Sequence, residues 1–384
     1  MRLSVDKLNK FFDKIAASTP NVIDAKNTFA AFTTDVIAST SFATETNANE
    51  DPNNPFVANG KEFFNTNVFK SLLIILLPKF MRDLLGLDSF FADKPFKFFI
   101  EVAKHIVEQR KSGAMGPRND LVQLLMDARV DQKDIEEMNY EKMTVDENEL
   151  NNNGTAEVTS NKKENSSTKK RLDDSEIIAN CIFFFVAGYE TTASTLTHFM
   201  FELAQNQDIQ ERLYQEVEGA LSQFDNEHSE EYFEVVMSGI PYLEATIKET
   251  LRKYPPLSVV GRVCEADNYK LGPATLPKGA LINVMINAIH LNPEYYPSPH
   301  QFNPDRFMPE NKHQLVPYTY LPFSIGPRNC IAMRFAYQEL RLCIASIVRK
   351  FKFEVTPDTP KELKFKSASV LMMAEPFSIR VTKR

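Results

Sequence analysis

Apolar residues recur at three- and four-residue spacings along most of this chain, with polar residues between them. That period predicts helices over 2–17, 24–40, 60–70, 95–111, 119–129, 174–205, 207–223, 241–253 and 330–349. After Pro256 strand-like segments cluster, at 259–263, 281–285, 351–355 and 377–381. The expected fold is mainly α with small β-sheets. The pattern lapses between Asp131 and Arg171, where Asn, Lys, Glu, Ser and Thr dominate. The run 151–170 can bury almost nothing, so 131–171 is expected to be a disordered insert. The run 72–77 is wholly Leu and Ile but ends at Pro78, far too short to span a bilayer. A buried helix segment is its first reading. With Phe80, Leu84, Leu85, Leu87, Phe90 and Phe91 behind it, it also suits a surface that dips into a membrane.

Composition sets limits on this picture. A chain of 384 residues, 43% hydrophobic, can bury one large core or two smaller ones. No linker separates two independent patterns, so one domain over 1–384 is expected. Thirty Phe and no Trp suit an apolar cavity, as in Phe183-Phe184-Phe185 and Phe98-Phe99, although most Phe belong to the core. The net charge of -7 argues against nucleic acid as a partner. Cys181, Cys264, Cys330 and Cys343 show no C-x-x-C spacing and read as reduced thiols. No G-x-G-x-x-G fingerprint occurs, so no bound flavin or nicotinamide is expected.

The chemistry concentrates near the C-terminus, in Phe323-Ser324-Ile325-Gly326-Pro327-Arg328-Asn329-Cys330-Ile331-Ala332. Gly326 and Pro327 shape a loop, and the helical pattern begins at the cysteine. A helix N-terminus offers unpaired N–H groups and the positive dipole end, both of which favour a thiolate. Phe323 can shield the sulfur, and Arg328 brings a fixed charge that suits a haem propionate. A free cysteine is usually a buried structural one, and Cys330 alone reads that way. The ten-residue pattern reverses the odds. It resembles the haem-binding loop of the cytochrome P450 family, Phe-x-x-Gly-x-Arg-x-Cys-x-Gly, and departs from it only where Ala332 replaces Gly.

Three further motifs stand in the order that family requires. Ala187-Gly188-Tyr189-Glu190-Thr191-Thr192 lies inside the longest helical stretch. Thr191 can bond a backbone carbonyl or a water, and Glu190 can feed protons beside it. A helix with one exposed Glu and two Thr is the plain alternative. Glu249-Thr250-Leu251-Arg252 places Glu249 and Arg252 on one helix face, where isolated pairs are usually weak surface bridges. The resemblance implies instead a buried structural cluster completed by Arg306, from Phe302-Asn303-Pro304-Asp305-Arg306-Phe307. Arg262, in Gly261-Arg262-Val263-Cys264, is by resemblance a second propionate partner; a solvated strand-edge arginine is the plain alternative.

The resemblance extends to Asp51–Phe56 and Asp120–Leu125, which look like the animal microsomal subgroup of drug-metabolising and detoxification enzymes. It implies the P450 fold, with haem b (iron protoporphyrin IX) buried between two long helices. It implies Cys330 as the iron ligand, and Phe323, Gly326, Arg328, Arg262 and Ala187 as haem contacts. Glu190 and Thr191 would organise the proton supply, and O2 would deliver one oxygen atom to a lipophilic small molecule (xenobiotic, steroid-like or fatty-acid-like). Substrate contacts are expected at Phe183, Phe184, Thr192, Val259, Val260, Val370 and Leu371. Electrons would come from a separate NADPH-cytochrome reductase, with Arg334 and Arg341 able to help dock it; ordinary solvated arginines are the equal alternative. The expected location is the cytosolic face of the endoplasmic reticulum membrane. There Asn153-Gly154-Thr155 and Asn165-Ser166-Ser167, which match glycosylation acceptors, would be chance matches. Subgroup members carry an anchor and several helices ahead of the point where Met1-Arg2-Leu3-Ser4 begins, so the chain is expected to be truncated. Two other readings remain open from sequence: a haem-thiolate enzyme that rearranges peroxides without a reductase, and an inactive haem-binding or apolar-ligand remnant.

Overall fold

The computed structural model describes residues 1–384 apart from 43, 52, 65–72, 75, 87–91, 117, 132–168 and 367–370. Most of the expected insert at 131–171, part of the run 72–77, and Val370 therefore lie outside the described residues. The described chain is mainly α, with small antiparallel sheets. It forms two compact units, one of Met1–Ala193 with Pro376–Arg384, the other of Ser194–Glu375.

The first unit holds α1 (Arg2–Ala16), β1 (Val22–Asp24), α2 (Ala25–Ser41), α3 (Pro55–Phe63), α4 (Lys79–Leu84), α5 (Asp93–Lys111) and α6 (Leu121–Asp127). It also holds β2 (Arg129–Asp131), β3 (Lys169–Arg171), the first part of α7 (Asp174–Gln205), and β9 (Ser378–Lys383). Local chemistry sets the helix starts. The Asp24 carboxylate caps α2 by accepting from the Asn27 N–H at 2.9 Å. Asn54 caps α3, with Pro55 at the first helical position, so this helix starts five residues before the predicted 60. Asp120 caps α6 and also forms a buried ion pair with Arg110 of α5. β1 pairs antiparallel with β9, with Ile23 opposite Ile379.

An aromatic core fills this unit. Phe56 meets Phe42, Phe98, Phe99 and Phe185 at ring separations of 6.1, 5.4, 6.2 and 6.2 Å. Phe185 stacks on Tyr189 one helical turn further along α7. Gly60 of α3 lies against the Tyr189 ring, where an added Cβ would come within 3.1 Å. Among the described residues α7 is the one helix long and apolar enough to cross a membrane. Its burial at Ile177, Cys181, Phe185, Tyr189, Leu196 and Phe199 makes it a core helix instead.

The second unit holds the rest of α7, α8 (Gln207–Leu221), α9 (Glu230–Ser238), α10 (Pro241–Lys253), β4 (Val259–Val263), β5 (Tyr269–Leu271) and β6 (Ala274–Leu276). It continues through β7 (Leu281–Met285), α11 (Ile286–His290), α12 (Met333–Lys350) and β8 (Phe351–Val355). β4 pairs antiparallel with β7, and β5 pairs with β6 through a turn at Gly272, whose φ of 56° favours glycine. The Gln210 amide ties three elements together. It donates to Leu203 and Phe353 carbonyls at 2.9 and 2.8 Å, and accepts from the Phe353 N–H at 2.8 Å.

α12 carries an unusual group. Glu339 is buried, neither carboxylate oxygen has a hydrogen-bond partner among the described residues, and burial pushes its pKa up to about 8. Below pH 4.5, folded and unfolded chains both hold the proton and burial carries no ionic penalty. From 4.5 to 8 the unfolded chain ionises while the fold keeps the proton, so stability falls as pH rises. Glu339→Gln is therefore expected to raise the urea midpoint at pH 8, by roughly 3–5 kcal/mol of stability, and to change it little at pH 5. An equal effect at both pH values would contradict this assignment.

Candidate active site

The loop that ends at Cys330 is folded by its own backbone. Ser324 and Gly326 both take positive φ, 60° and 83°. The Ser324 N–H donates to the Leu321 carbonyl at 3.0 Å, Asn329 N–H to Gly326 at 3.0 Å, and Cys330 N–H to Phe323 at 2.9 Å. These bonds turn the segment back on itself and end it at an exposed cysteine. α12 begins at Met333, three residues later than the expected start at the cysteine. The sulfur therefore precedes the first helical turn, and the N–H of Ala332, the N-cap of α12, bonds to it. Partial desolvation of the sulfur raises the Cys330 thiol above its ordinary range, and that N–H opposes the rise. Ala332 has φ -95° and ψ 14°, open to any residue, so its methyl adds no backbone strain. Phe323 packs on the Tyr337 ring at 5.2 Å. Arg328 is exposed, and Ile331, 82% exposed, stands next to the cysteine in sequence.

Behind the loop lies the charged cluster. Arg252 donates to Glu249 through Nε at 2.7 Å and Nη2 at 2.9 Å, and both side chains are fully buried. Two further N–H groups meet the His290 carbonyl at 2.9 Å and the Pro299 carbonyl at 2.8 Å. The Asn303 N–H reaches Glu249 at 2.9 Å, and Arg306 stands 3.5 Å from it. Burial raises the Glu249 carboxyl above its ordinary range, while Arg252, the Asn303 amide and Arg306 oppose that rise. α10 presents Glu249 and Arg252 on one face, and the turn Pro304–Phe307 packs against it.

In the first unit, the α7 motif stays helical throughout. The Thr191 hydroxyl donates to the Ala187 carbonyl at 2.7 Å. Gly188 is required by a close approach, since a Cβ there would lie 2.6 Å from Ile37 Cδ1 of α2. The Thr33 hydroxyl of α2 donates to the Tyr189 carbonyl at 3.0 Å and pins the same turn. Glu190 points into the protein and forms a buried ion pair with Lys26 of α2. Sequence reading did not find Lys26; its partner lies 164 positions away, and no local motif marks it.

One stripe of α7 is left open. Phe183 is 63% exposed, Ala187 is exposed, and Phe184, Gly188 and Thr191 are partly so. Thr192 is buried. In the second unit Val259 and Val260 are half-buried on β4, opposite Met285 and Val284. Leu371 bridges to Leu257. Arg262 is exposed and bonds the neighbouring Gly261 carbonyl at 2.9 Å. Arg341 is not a free surface charge: Glu244 holds it at 2.6 Å.

The donor chemistry fits a haem. Among the described residues no three His, Cys, Asp or Glu side chains form a group able to hold a bare metal ion. A single exposed thiol, backed by an amide and followed by an outward isoleucine, suits an iron whose other positions a porphyrin fills. The match to the family model "Cytochrome P450", over residues 3–159 and 142–381, decides the matter. The chain belongs to the cytochrome P450 family. It is 32% identical over 375 residues to "Cytochrome P450 3A2" of Rattus norvegicus, covering 97% of this chain and 67% of the relative. It is 31% identical over 372 residues to "Thromboxane-A synthase" of Sus scrofa, covering 96% and 68%. The chain thus spans about two thirds of the length of these relatives. This P450 belongs with the animal microsomal subgroup of the endoplasmic reticulum membrane, and is an oxygen-incorporating oxidoreductase with haem b as its cofactor.

Proposed function

We propose that this P450 inserts one oxygen atom from O2 into a lipophilic small molecule, of xenobiotic, steroid-like or fatty-acid-like character, using electrons from NADPH-cytochrome reductase. The observation that carries the reading is the α7 arrangement: a hydroxyl on an open apolar stripe, with a charge-balanced carboxylate buried beside it. Cys330 would hold the haem iron, with Arg328 and Arg262 on the propionates and Phe323, Gly326 and Ala187 among the haem contacts. When bound, the haem supplies oxygen activation, favoured by electron density from the thiolate. Phe183, Phe184 and Ala187 give an apolar surface that excludes water and receives an apolar substrate. Thr192, Val259, Val260, Leu371 and Val370 are proposed as further substrate contacts. The Thr191 hydroxyl donates to the Ala187 carbonyl, and a hydroxyl that donates in this way can also accept from a water on the open side. Glu190 is paired with Lys26, and proton delivery to that water requires the carboxylate to turn away from Lys26.

Reductase docking would rest on the exposed Arg334 of α12, since Glu244 occupies Arg341. The exposed Leu76, Phe80, Leu84 and Leu85 suit contact with the cytosolic face of the membrane. We take the chain as one P450 domain interrupted at 131–171.

Reductase-dependent NADPH consumption, measured beside oxygenated product from a lipophilic substrate panel, tests the proposal. Glu190→Gln is expected to slow product formation by about 10²- to 10³-fold. Thr191→Ala is expected to consume NADPH with less product per turnover. Product without reductase, or unchanged rates in both variants, would overturn it.

A further inference from the structure

We propose that His290 is a positioning residue, a hydrogen-bonded strut that transmits the fixed position of the Glu249–Arg252 pair to the thiolate loop. The proposal rests on Cys330 being the haem ligand. His290 is the last residue of α11 and is fully buried. Its Nδ1 lies 3.0 Å from the Arg252 carbonyl, and its Nε2 lies 2.8 Å from the Leu321 nitrogen. A peptide N–H only donates, so Nε2 must accept and carry no proton. The ring proton then sits on Nδ1 and donates to Arg252. A single neutral tautomer satisfies both ends, and the imidazolium satisfies only one.

The surroundings hold that tautomer. The ring stacks on Tyr320 at 5.7 Å and 14°, and meets the Tyr296 edge at 6.4 Å. Arg252 closes the circuit by donating to the His290 carbonyl at 2.9 Å. Burial lowers the ring's pKa to about 4, which keeps it neutral at physiological pH. Leu321 is where the loop leaves its support. Its carbonyl accepts the Ser324 N–H at 3.0 Å, and Phe323, two residues on, accepts the Cys330 N–H at 2.9 Å. The strut therefore fixes the near end of a short, bonded loop whose far end is the ligand.

The two ends can be cut separately. His290→Gln offers Oε1 at the reach of Nε2 and keeps an acceptor for Leu321. His290→Asn offers Nδ2 at the position of Nδ1, keeps the donor to Arg252, and leaves Leu321 without a partner. In the haem-loaded chain, amide exchange at Leu321 is expected to match wild type in the Gln variant and to rise about tenfold in the Asn variant. The carbon monoxide difference spectrum of the reduced protein is expected to keep its thiolate-type band in Gln and to lose part of it in Asn. Leu321→Pro removes the donor without touching His290 and should repeat the Asn result. Wild-type exchange in Asn, loss in both Gln and Asn, or an intact band in Leu321→Pro would each overturn the proposal. The exchange readout concerns the strut alone, and a wild-type protein lacking the thiolate band would instead overturn the ligand assignment.

Discussion

Arg252→Ala is expected to cost about 3–5 kcal/mol of unfolding free energy, the cost of breaking a buried, hydrogen-bonded ion pair. Arg252 directs four hydrogen bonds to fixed acceptors: two to Glu249, one to His290 and one to Pro299. It also lies 5.2 Å from the Tyr296 ring centre. Alanine leaves Glu249 buried with only the Asn303 amide and Arg306, and leaves two carbonyls without a donor. Arg252→Lys should recover little, because an ammonium cannot reproduce the planar fork. Against a typical total of about 5–15 kcal/mol, such a loss removes much of the folded population. Arg306→Ala should cost less, since Arg306 sits at 3.5 Å and is partly exposed. Urea unfolding of the two variants checks the order, and a cost for Arg252→Ala within about 1 kcal/mol of zero would contradict it.

Cys330→Ala is expected to have the opposite profile. The residue is exposed and its loop is held by backbone bonds, so stability should stay within about 0.5 kcal/mol of wild type. Product formation should vanish, because no neighbouring side chain offers a second thiolate: Cys181, Cys264 and Cys343 are buried elsewhere. Burial holds the Cys343 thiol far above its ordinary range and that of Cys181 at about 11. Cys330→Ser should fare no better, as a hydroxyl is a poor substitute for a soft sulfur ligand.

Periodicity made the long helices legible. α7 and α10 span the predicted 174–205 and 241–253, and β4, β7 and β8 lie where the strand-like segments were expected. α9 was not predicted because it buries only Tyr232 and Val236 and depends on its Ser229 cap. The β5–β6 hairpin was missed for the same reason: its residues are nearly all exposed, so no apolar alternation marks it. The pairing of Glu249 with Arg252 is local, three positions apart, and could be read directly. Lys26 and His290 could not, because each acts on a partner far away in the chain and neither belongs to a local motif. The late start of α12 and the capture of Arg341 by Glu244 are tertiary outcomes of the same kind.

Thiolate ligation of haem by Cys330 is the central claim, and the carbon monoxide difference spectrum of the reduced, haem-loaded chain tests it most directly. Wild type is expected to give a strongly red-shifted Soret band that is missing in Cys330→Ala. The same band in both proteins, or no such band in wild type, would contradict the assignment of Cys330 as the iron ligand.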